Sequence, residues 1–211
     1  MKVLELFAGS RSFSKVAEEF NYETYTTDFK PFDKIDQVCD IFDFDIEKMK
    51  EDFGMPEICW ASPPCTYFSV ASIGHHWNKD HTPKTKEAIL GVKIVEKMWE
   101  IINELKPKYY YIENPRGKLR KLPVMNPAPY RRTIWYCQYF SPEETVKRAK
   151  PTDIWTNDMG WIPRPMCKNG NPNCDHESAP RGSKTGTQGL KGNYERSIVP
   201  SELCREILGQ F

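Results

Sequence analysis

The residues of this chain best suited to covalent chemistry are Pro63-Pro64-Cys65, followed by Thr66-Tyr67-Phe68-Ser69. They come after Pro56-Glu57-Ile58-Cys59-Trp60-Ala61, a short apolar run that reads as a buried strand ending at the prolines. A cysteine held by two prolines just past a strand end occupies a stiff loop at the carboxyl edge of a sheet, where open α/β sheets bind their ligands. A thiolate is a strong nucleophile, so Cys65 is a candidate for covalent catalysis. The same stretch also fits a small buried thiol beside a proline turn. A second reactive pair, Glu113-Asn114, ends the run Tyr109-Tyr110-Tyr111-Ile112, which reads as another strand. If the two strands are neighbours, a thiol, a carboxyl and an amide converge on one pocket.

The elements that must position these groups can be read along the chain. Lys2–Leu6 is a short strand, Phe7-Ala8-Gly9-Ser10 a small-residue turn, and Phe13 to Phe20 has helical spacing. Strand, glycine turn and helix form the nucleotide-binding opening of a Rossmann-type sheet, although with one glycine they equally form a plain βα turn. Tyr22 to Thr27 is β-rich and ends at Asp28, about twenty residues after the turn, where a carboxylate would face a ribose diol. Val38-Cys39-Asp40-Ile41 gives a third strand end with another acid. Phe44 to Asp52 is helical, and residues 57–61 form the fourth strand. Residues 69–84 read as a long polar loop, with His75 and His76 as either proton carriers or idle loop histidines. Glu87 to Leu105 is an amphipathic scaffold helix, Arg131 to Tyr139 and Lys150 to Asn157 are β-rich, residues 160–191 are irregular, and Pro200 to Leu208 is a terminal helix. Strands alternating with helices predict a doubly wound, mostly parallel sheet.

Composition bounds the function. A chain of 211 residues with 39% hydrophobic residues makes one domain with at most a small appendage. The amino terminus is too short and too charged for a signal peptide, and no apolar run approaches the ~20 residues of a membrane span. Seven cysteines without a signal fit thiols or metal ligands in a reducing compartment. The net charge of +1 hides an asymmetry. Residues 1–60 carry 7 Lys/Arg against 14 Asp/Glu, and residues 106–150 carry 11 against 3. The basic block predicts a face that meets an anion such as nucleic acid, or a solvated surface.

Cys167, Cys174 and His176 fall close together in the irregular stretch, and Cys137 lies at the end of a preceding strand. Three thiols and an imidazole are a standard set for structural zinc. Their intervals are not the tight Cys-x2-Cys kind, and a group of unrelated reduced thiols fits as well.

Taken in order, Leu6-Phe7-Ala8-Gly9, Pro63-Pro64-Cys65 with Phe68-Ser69, Glu113-Asn114, and Gly192-Asn193 with Val199-Pro200 and Leu203 resemble the cytosine-C5 DNA methyltransferases. Lys150-Pro151-Thr152-Asp153-Ile154-Trp155 and Ala179-Pro180-Arg181-Gly182 are similar to the compact phage and prophage members. The resemblance implies a Rossmann-like class I S-adenosylmethionine-dependent methyltransferase fold with a small irregular target-recognition subdomain. Residues 1–136 would form the catalytic core, 137–191 the recognition region and 192–211 a segment returning to the core. Cys65 would be the nucleophile, Glu113 the acid at the cytosine ring and Asn114 its orienting partner. The family's Gln-x-Arg-x-Arg element is absent as such, and Arg148, within Lys147-Arg148-Ala149-Lys150, is expected in its place. Phe7, Ala8, Gly9, Ser10, Asp28, Phe29, Asp40, Ile41, Pro64 and Asn193 would hold S-adenosylmethionine. The expected partner is double-stranded DNA, bound by a cytoplasmic monomer of phage or prophage origin in a bacterial host, with no membrane contact.

Overall fold

The computed structural model describes residues 1–70, 72–141, 148–168, 170–176 and 193–211. Its strands are β1 (Lys2–Leu6), β2 (Glu23–Asp28), β3 (Gln37–Val38), β4 (Ile58–Ala61), β5 (Tyr109–Pro115), β6 (Tyr130–Trp135) and β7 (Pro151–Thr156). Its helices are α1 (Ser12–Glu19), α2 (Ile46–Asp52), α3 (Ile73–His76), α4 (Lys86–Leu105), α5 (Asn193–Ser197) and α6 (Ser201–Leu208). The strands form one sheet in the order β3-β2-β1-β4-β5-β7-β6. Strand order reverses at β1, which pairs in parallel with β2 on one side and β4 on the other. The crevice of a doubly wound sheet opens at that reversal.

The sheet is mostly parallel, as expected, with one reversed strand at its far edge: β7 runs antiparallel to both β5 and β6. An antiparallel pair needs no crossover helix, so β7 can pair with the strand that precedes it. β7, expected as a β-rich run over Lys150 to Asn157, joins this sheet with residues 151–156.

Period-two alternation explains the two cores. Leu4, Leu6, Cys59, Ala61, Tyr110, Ile112 and Trp155 face one side and pack with Val95, Met98, Ile102 and Leu105 of α4. Val3, Ile58, Trp60, Tyr111, Ile134 and Ile154 face the other and pack with Phe13, Val16 and Ala17 of α1 and with Leu203, Ile207 and Leu208 of α6. Strands covered on both faces must be apolar throughout, as β1 and β4 nearly are.

The buried exception in β1 is Glu5. Helix α1 begins after Arg11, whose backbone is left-handed (φ 53°) and whose side chain gives no cap. Glu5 supplies what the cap does not, accepting the Ser14 N–H at 2.8 Å and the Phe13 N–H at 3.4 Å. Burial pushes the Glu5 carboxyl up to about 7 despite these bonds.

The stretch after the cysteine is more ordered than its composition suggests. It contains α3 and a bridge between Trp77 and Pro83. Trp77 is buried and its Nε1–H donates to the Tyr67 carbonyl at 2.7 Å. His76 is buried too, with Nδ1 2.8 Å from Thr85 Oγ1, so it serves packing here. Lys118 pins the loop from outside, with Nζ 2.8 Å from His81 Nδ1 and 5.2 Å from the Trp77 ring centre. The neighbouring Gly117 allows this approach, since a Cβ there would stand 2.2 Å from the Phe68 carbonyl oxygen.

Candidate active site

Cys65 opens a 3-10 turn, Cys65–Tyr67, immediately beyond β4. The proline backbone fixes its approach, and Asn114 anchors that backbone: its buried Nδ2–H donates to the Pro63 carbonyl at 2.8 Å. Asn114 sits in β5, the parallel neighbour of β4, with Ala61 opposite Ile112. The sheet register therefore ties the thiol loop to the strand carrying Glu113. The acceptor oxygen of Asn114 is buried and has no partner among the described residues.

Glu113 is buried on the opposite face of β5 from Asn114. Its Oε1 accepts the Tyr136 hydroxyl at 2.8 Å and the Lys150 ammonium at 3.5 Å. Lys150 also lies 4.5 Å from the centre of the Tyr136 ring and donates to the Arg196 carbonyl at 3.3 Å. Burial pushes the Cys65 thiol up, the positive charge of Lys150 opposes this, and the Glu113 carboxylate adds to it. Thiol, carboxyl and ammonium thus feel one another at a single sheet edge. Burial likewise holds the Tyr136 phenol far above its usual value, so at neutral pH it is a donor to Glu113.

Arg148, expected in place of the Gln-x-Arg-x-Arg element, is buried near Tyr136, where its charge opposes the upward push of burial on the phenol. Its NH1 donates to the Glu195 carbonyl at 3.1 Å and its guanidinium stands 5.8 Å from the Phe140 ring centre. Lys150 is the cation that meets Glu113. Residues 150, 152 and 154 share a face with Glu113 and Tyr111 across the β5–β7 pair, and with Ile134 and Tyr136 across β6; Arg148 has the same parity but lies two residues further from the start of β7. Tyr136 and Lys150 were not among the expected site residues. The signal for them was this parity, usable only once the register of three strands was known.

The other half of the crevice holds the residues expected to meet the methyl donor. Phe7 and Gly9 have left-handed backbones, φ 59° and 46°, which fold the turn after β1 tightly. The Gly9 N–H donates to Asp28 Oδ2 at 3.0 Å and the Lys30 N–H to Oδ1 at 3.0 Å. Burial pushes the Asp28 carboxyl up, and these two backbone bonds oppose it. Ala8 and Ser10 are buried beside them, with Ser10 Oγ 2.7 Å from Ser12 Oγ. Phe29 is 64% exposed at the mouth. Asp40 accepts the Phe42 N–H at 3.1 Å and Ile41 is buried in the core behind it. Pro64 is half-buried next to the thiol. The side chain of Asn193 lies outside the described residues, as do Lys147, Gly192 and Ala179-Pro180-Arg181-Gly182.

The basic block is thinner at the surface than its charge count suggests. Lys118, Arg148 and Lys150 are buried, and Arg120 is spent on Asp153, a bidentate pair with bonds of 2.9 and 2.8 Å. Lys106, Lys108, Arg116, Lys121 and Arg131 remain exposed. Cys137, Cys167, Cys174 and His176 come together, one ligand atom of each lying within 4.8 Å of the others, a group able to hold a metal ion. Among the described residues no helix is long and apolar enough to cross a membrane.

Comparison with known proteins gives the family of the chain. Over its full length the chain is 27% identical to the "Probable DNA (cytosine-5)-methyltransferase" of Frog virus 3 (isolate Goorha), covering 99% of each. Its fold matches that of an E. coli prophage protein assigned as a DNA modification methyltransferase, with a TM-score of 0.53 and 13% identity over 74% of this chain. The chain spans 46% of the length of that structure. Residues 1–121, more than half of the chain and including β1, Cys65 and Glu113, match the model of C-5 cytosine-specific DNA methylases. The chain belongs to the family of C-5 cytosine-specific DNA methylases.

Proposed function

We propose that this protein methylates carbon 5 of cytosine in double-stranded DNA, with Cys65 as nucleophile and S-adenosylmethionine as methyl donor. The observation that carries the reading is the convergence of Cys65 beyond the carboxyl end of β4, Glu113 near the carboxyl end of β5 and Lys150 at the amino end of the antiparallel β7.

Carbon 5 of cytosine is a poor nucleophile. Addition of the Cys65 thiolate to carbon 6 breaks the ring's 5,6 double bond and makes carbon 5 electron-rich. Charge then builds on ring nitrogen 3 and the ring carbonyl. Both bonds found on Glu113 fall on Oε1, which leaves Oε2 for nitrogen 3. Lys150 is the cation for the carbonyl and for the thiolate itself. Tyr136 holds Glu113 in place, and Asn114 holds the Pro63–Cys65 loop. S-adenosylmethionine supplies an electrophilic methyl group at carbon 5. Loss of the carbon-5 proton to water and departure of the thiolate then restore the aromatic ring and free Cys65.

The residues of the β1–β2 edge fit that donor. The tight Phe7–Gly9 turn exposes backbone, and each Asp28 oxygen has a lone pair left for a ribose hydroxyl after its bond to Gly9 or Lys30. The acidic surroundings suit a sulfonium cation. The target base is out of reach within a stacked duplex and has to be flipped out. The exposed members of the basic block would meet the phosphates, and the irregular residues beyond β7 would read the sequence.

The test uses DNA containing 5-fluorocytosine, where the missing carbon-5 proton blocks release. Wild type should form a covalent adduct that survives denaturation, and Cys65→Ser should not. Methylation by the Cys65→Ser variant at a rate close to wild type removes Cys65 as nucleophile.

A further inference from the structure

Outside the methyl-transfer crevice lies a second cluster of reactive side chains. Cys137 occupies the 3-10 turn Tyr136–Gln138 that ends β6, and Cys167, Cys174 and His176 come from the irregular chain beyond β7. One ligand atom of each lies within 4.8 Å of the other three. Ligands around a tetrahedral zinc with bonds of ~2.3 Å stand about 3.8 Å apart, so a small contraction closes the shell. His176 Nδ1 is already 3.8 Å from Cys167 Sγ.

Side-chain amides are aimed at the sulfurs. The Asn171 side-chain amide donates to Cys167 Sγ at 3.3 Å, and the Gln138 amide lies 3.6 Å from both Cys137 Sγ and Cys174 Sγ. Amide N–H groups aimed at several sulfurs stabilise thiolates and orient them toward a shared cation. Trp161 anchors the start of this stretch in the main core, but beyond it apolar packing is thin. The local core consists of Trp135, Ala149 and the cysteines themselves, and Ile162 and Met166 on the same stretch are 81% and 68% exposed. Such a segment is held by a cross-link rather than by burial.

We propose that Cys137, Cys167, Cys174 and His176 bind one structural Zn2+. Soft thiolates with one imidazole in a tetrahedral set select zinc, and four protein ligands leave no open position for chemistry. Binding displaces the thiol protons to solvent. Ligation through Nδ1 leaves the imidazole proton on Nε2, so the Gly170 N–H, 3.2 Å from Nε2, turns away as the metal enters. The site also reaches the catalytic groups through the backbone. Cys137 follows Tyr136, and Ala149, packed in the same local core, precedes Lys150. The metal therefore fixes the two residues that bracket Glu113, together with the segment beyond β7.

Metal content is read without any methylation assay, so this inference can fail while the proposed activity stands, and the reverse. Protein purified under reducing conditions without chelator should carry about one zinc per chain by elemental analysis. Cys174→Ser should carry almost none, whereas Cys39→Ser, which removes a thiol outside the cluster, should keep it. Reduced wild type stripped of metal and titrated with Co2+ should show thiolate-to-cobalt charge transfer and tetrahedral d–d bands, saturating at one equivalent. The cobalt titration needs no variant, so it decides the question even if Cys174→Ser does not fold. Wild type without zinc and without those bands overturns the proposal, as does Cys174→Ser that retains a full equivalent of zinc.

Discussion

The Tyr136 hydroxyl donates to Glu113 Oε1 at 2.8 Å, joining a residue just beyond β6 to a carboxylate in β5 across the start of β7. The bond is buried, so its loss is not made good by water. Tyr136→Phe leaves the Glu113 carboxyl free to turn away from the ring. Hydrogen bonds to charged acceptors contribute about 1.5–3 kcal/mol, so kcat should fall roughly 10- to 100-fold. The affinity for S-adenosylmethionine should be unchanged by calorimetry. A variant with wild-type kcat would show that Glu113 is positioned by other groups.

Lys150 and Arg148 are two positions apart in sequence and differ in what they touch. Lys150→Gln removes the positive charge that opposes the upward push of burial on Cys65. The pH profile of Cys65 alkylation should move to higher pH, because the thiolate loses its stabilising neighbour. Arg148→Gln should leave that profile in place while loosening α5, whose Glu195 carbonyl it holds. Equal shifts in the two variants would refute the assignment of Lys150 as the cation of the site.

Asp28 ties the end of β2 to the turn after β1 and carries the proposed contact with the ribose hydroxyls. Asp28→Ala removes both, and S-adenosylmethionine binding should weaken by about 1–3 kcal/mol, the cost of charge-assisted bonds lost from a site. Asp28→Asn keeps an acceptor for one backbone N–H and should lose less. Calorimetry showing unchanged affinity in Asp28→Ala would remove the residue from the donor pocket.

Glu5 makes folding pH-dependent in a defined direction. Its carboxyl titrates near 4.5 when unfolded and is raised to about 7 in the fold. The folded chain holds a proton that the unfolded chain gives up between those values. The Glu5 contribution is therefore fully present below about 4.5 and is lost as pH rises through 7, a change on the order of 3 kcal/mol. Glu5→Gln keeps an acceptor for the Ser14 N–H and has no charge to desolvate. The Tm of Glu5→Gln relative to wild type should rise between pH 4.5 and 8, and a flat difference would show that the ionised carboxylate is accommodated at no cost.

Local chemistry in the sequence was sufficient to place the thiol. An apolar run closed by Pro63-Pro64 reads as a strand delivering Cys65 to the carboxyl edge, and Tyr109–Ile112 delivers Glu113-Asn114 in the same way; both strands are present in the fold. The turn at Gly9 and the acid at Asp28 are legible for the same reason, because strand, turn and helix are short-range patterns. The direction of β7, the choice of Lys150 over Arg148 and the role of Tyr136 were not legible. Each depends on which strands become neighbours and in what register, and a shift of one residue in register sends every side chain to the opposite face. The buried His76 and Trp77 after the cysteine were hidden likewise, since a polar stretch gives no sign that Lys118 and Tyr67 will pack against it. The four residues of the Cys/His cluster could be counted in the sequence, but Cys137 stands 30 positions before Cys167. Only the return of the chain past β7 brings their ligand atoms within 4.8 Å, because that distance is set by long-range packing rather than by spacing along the chain.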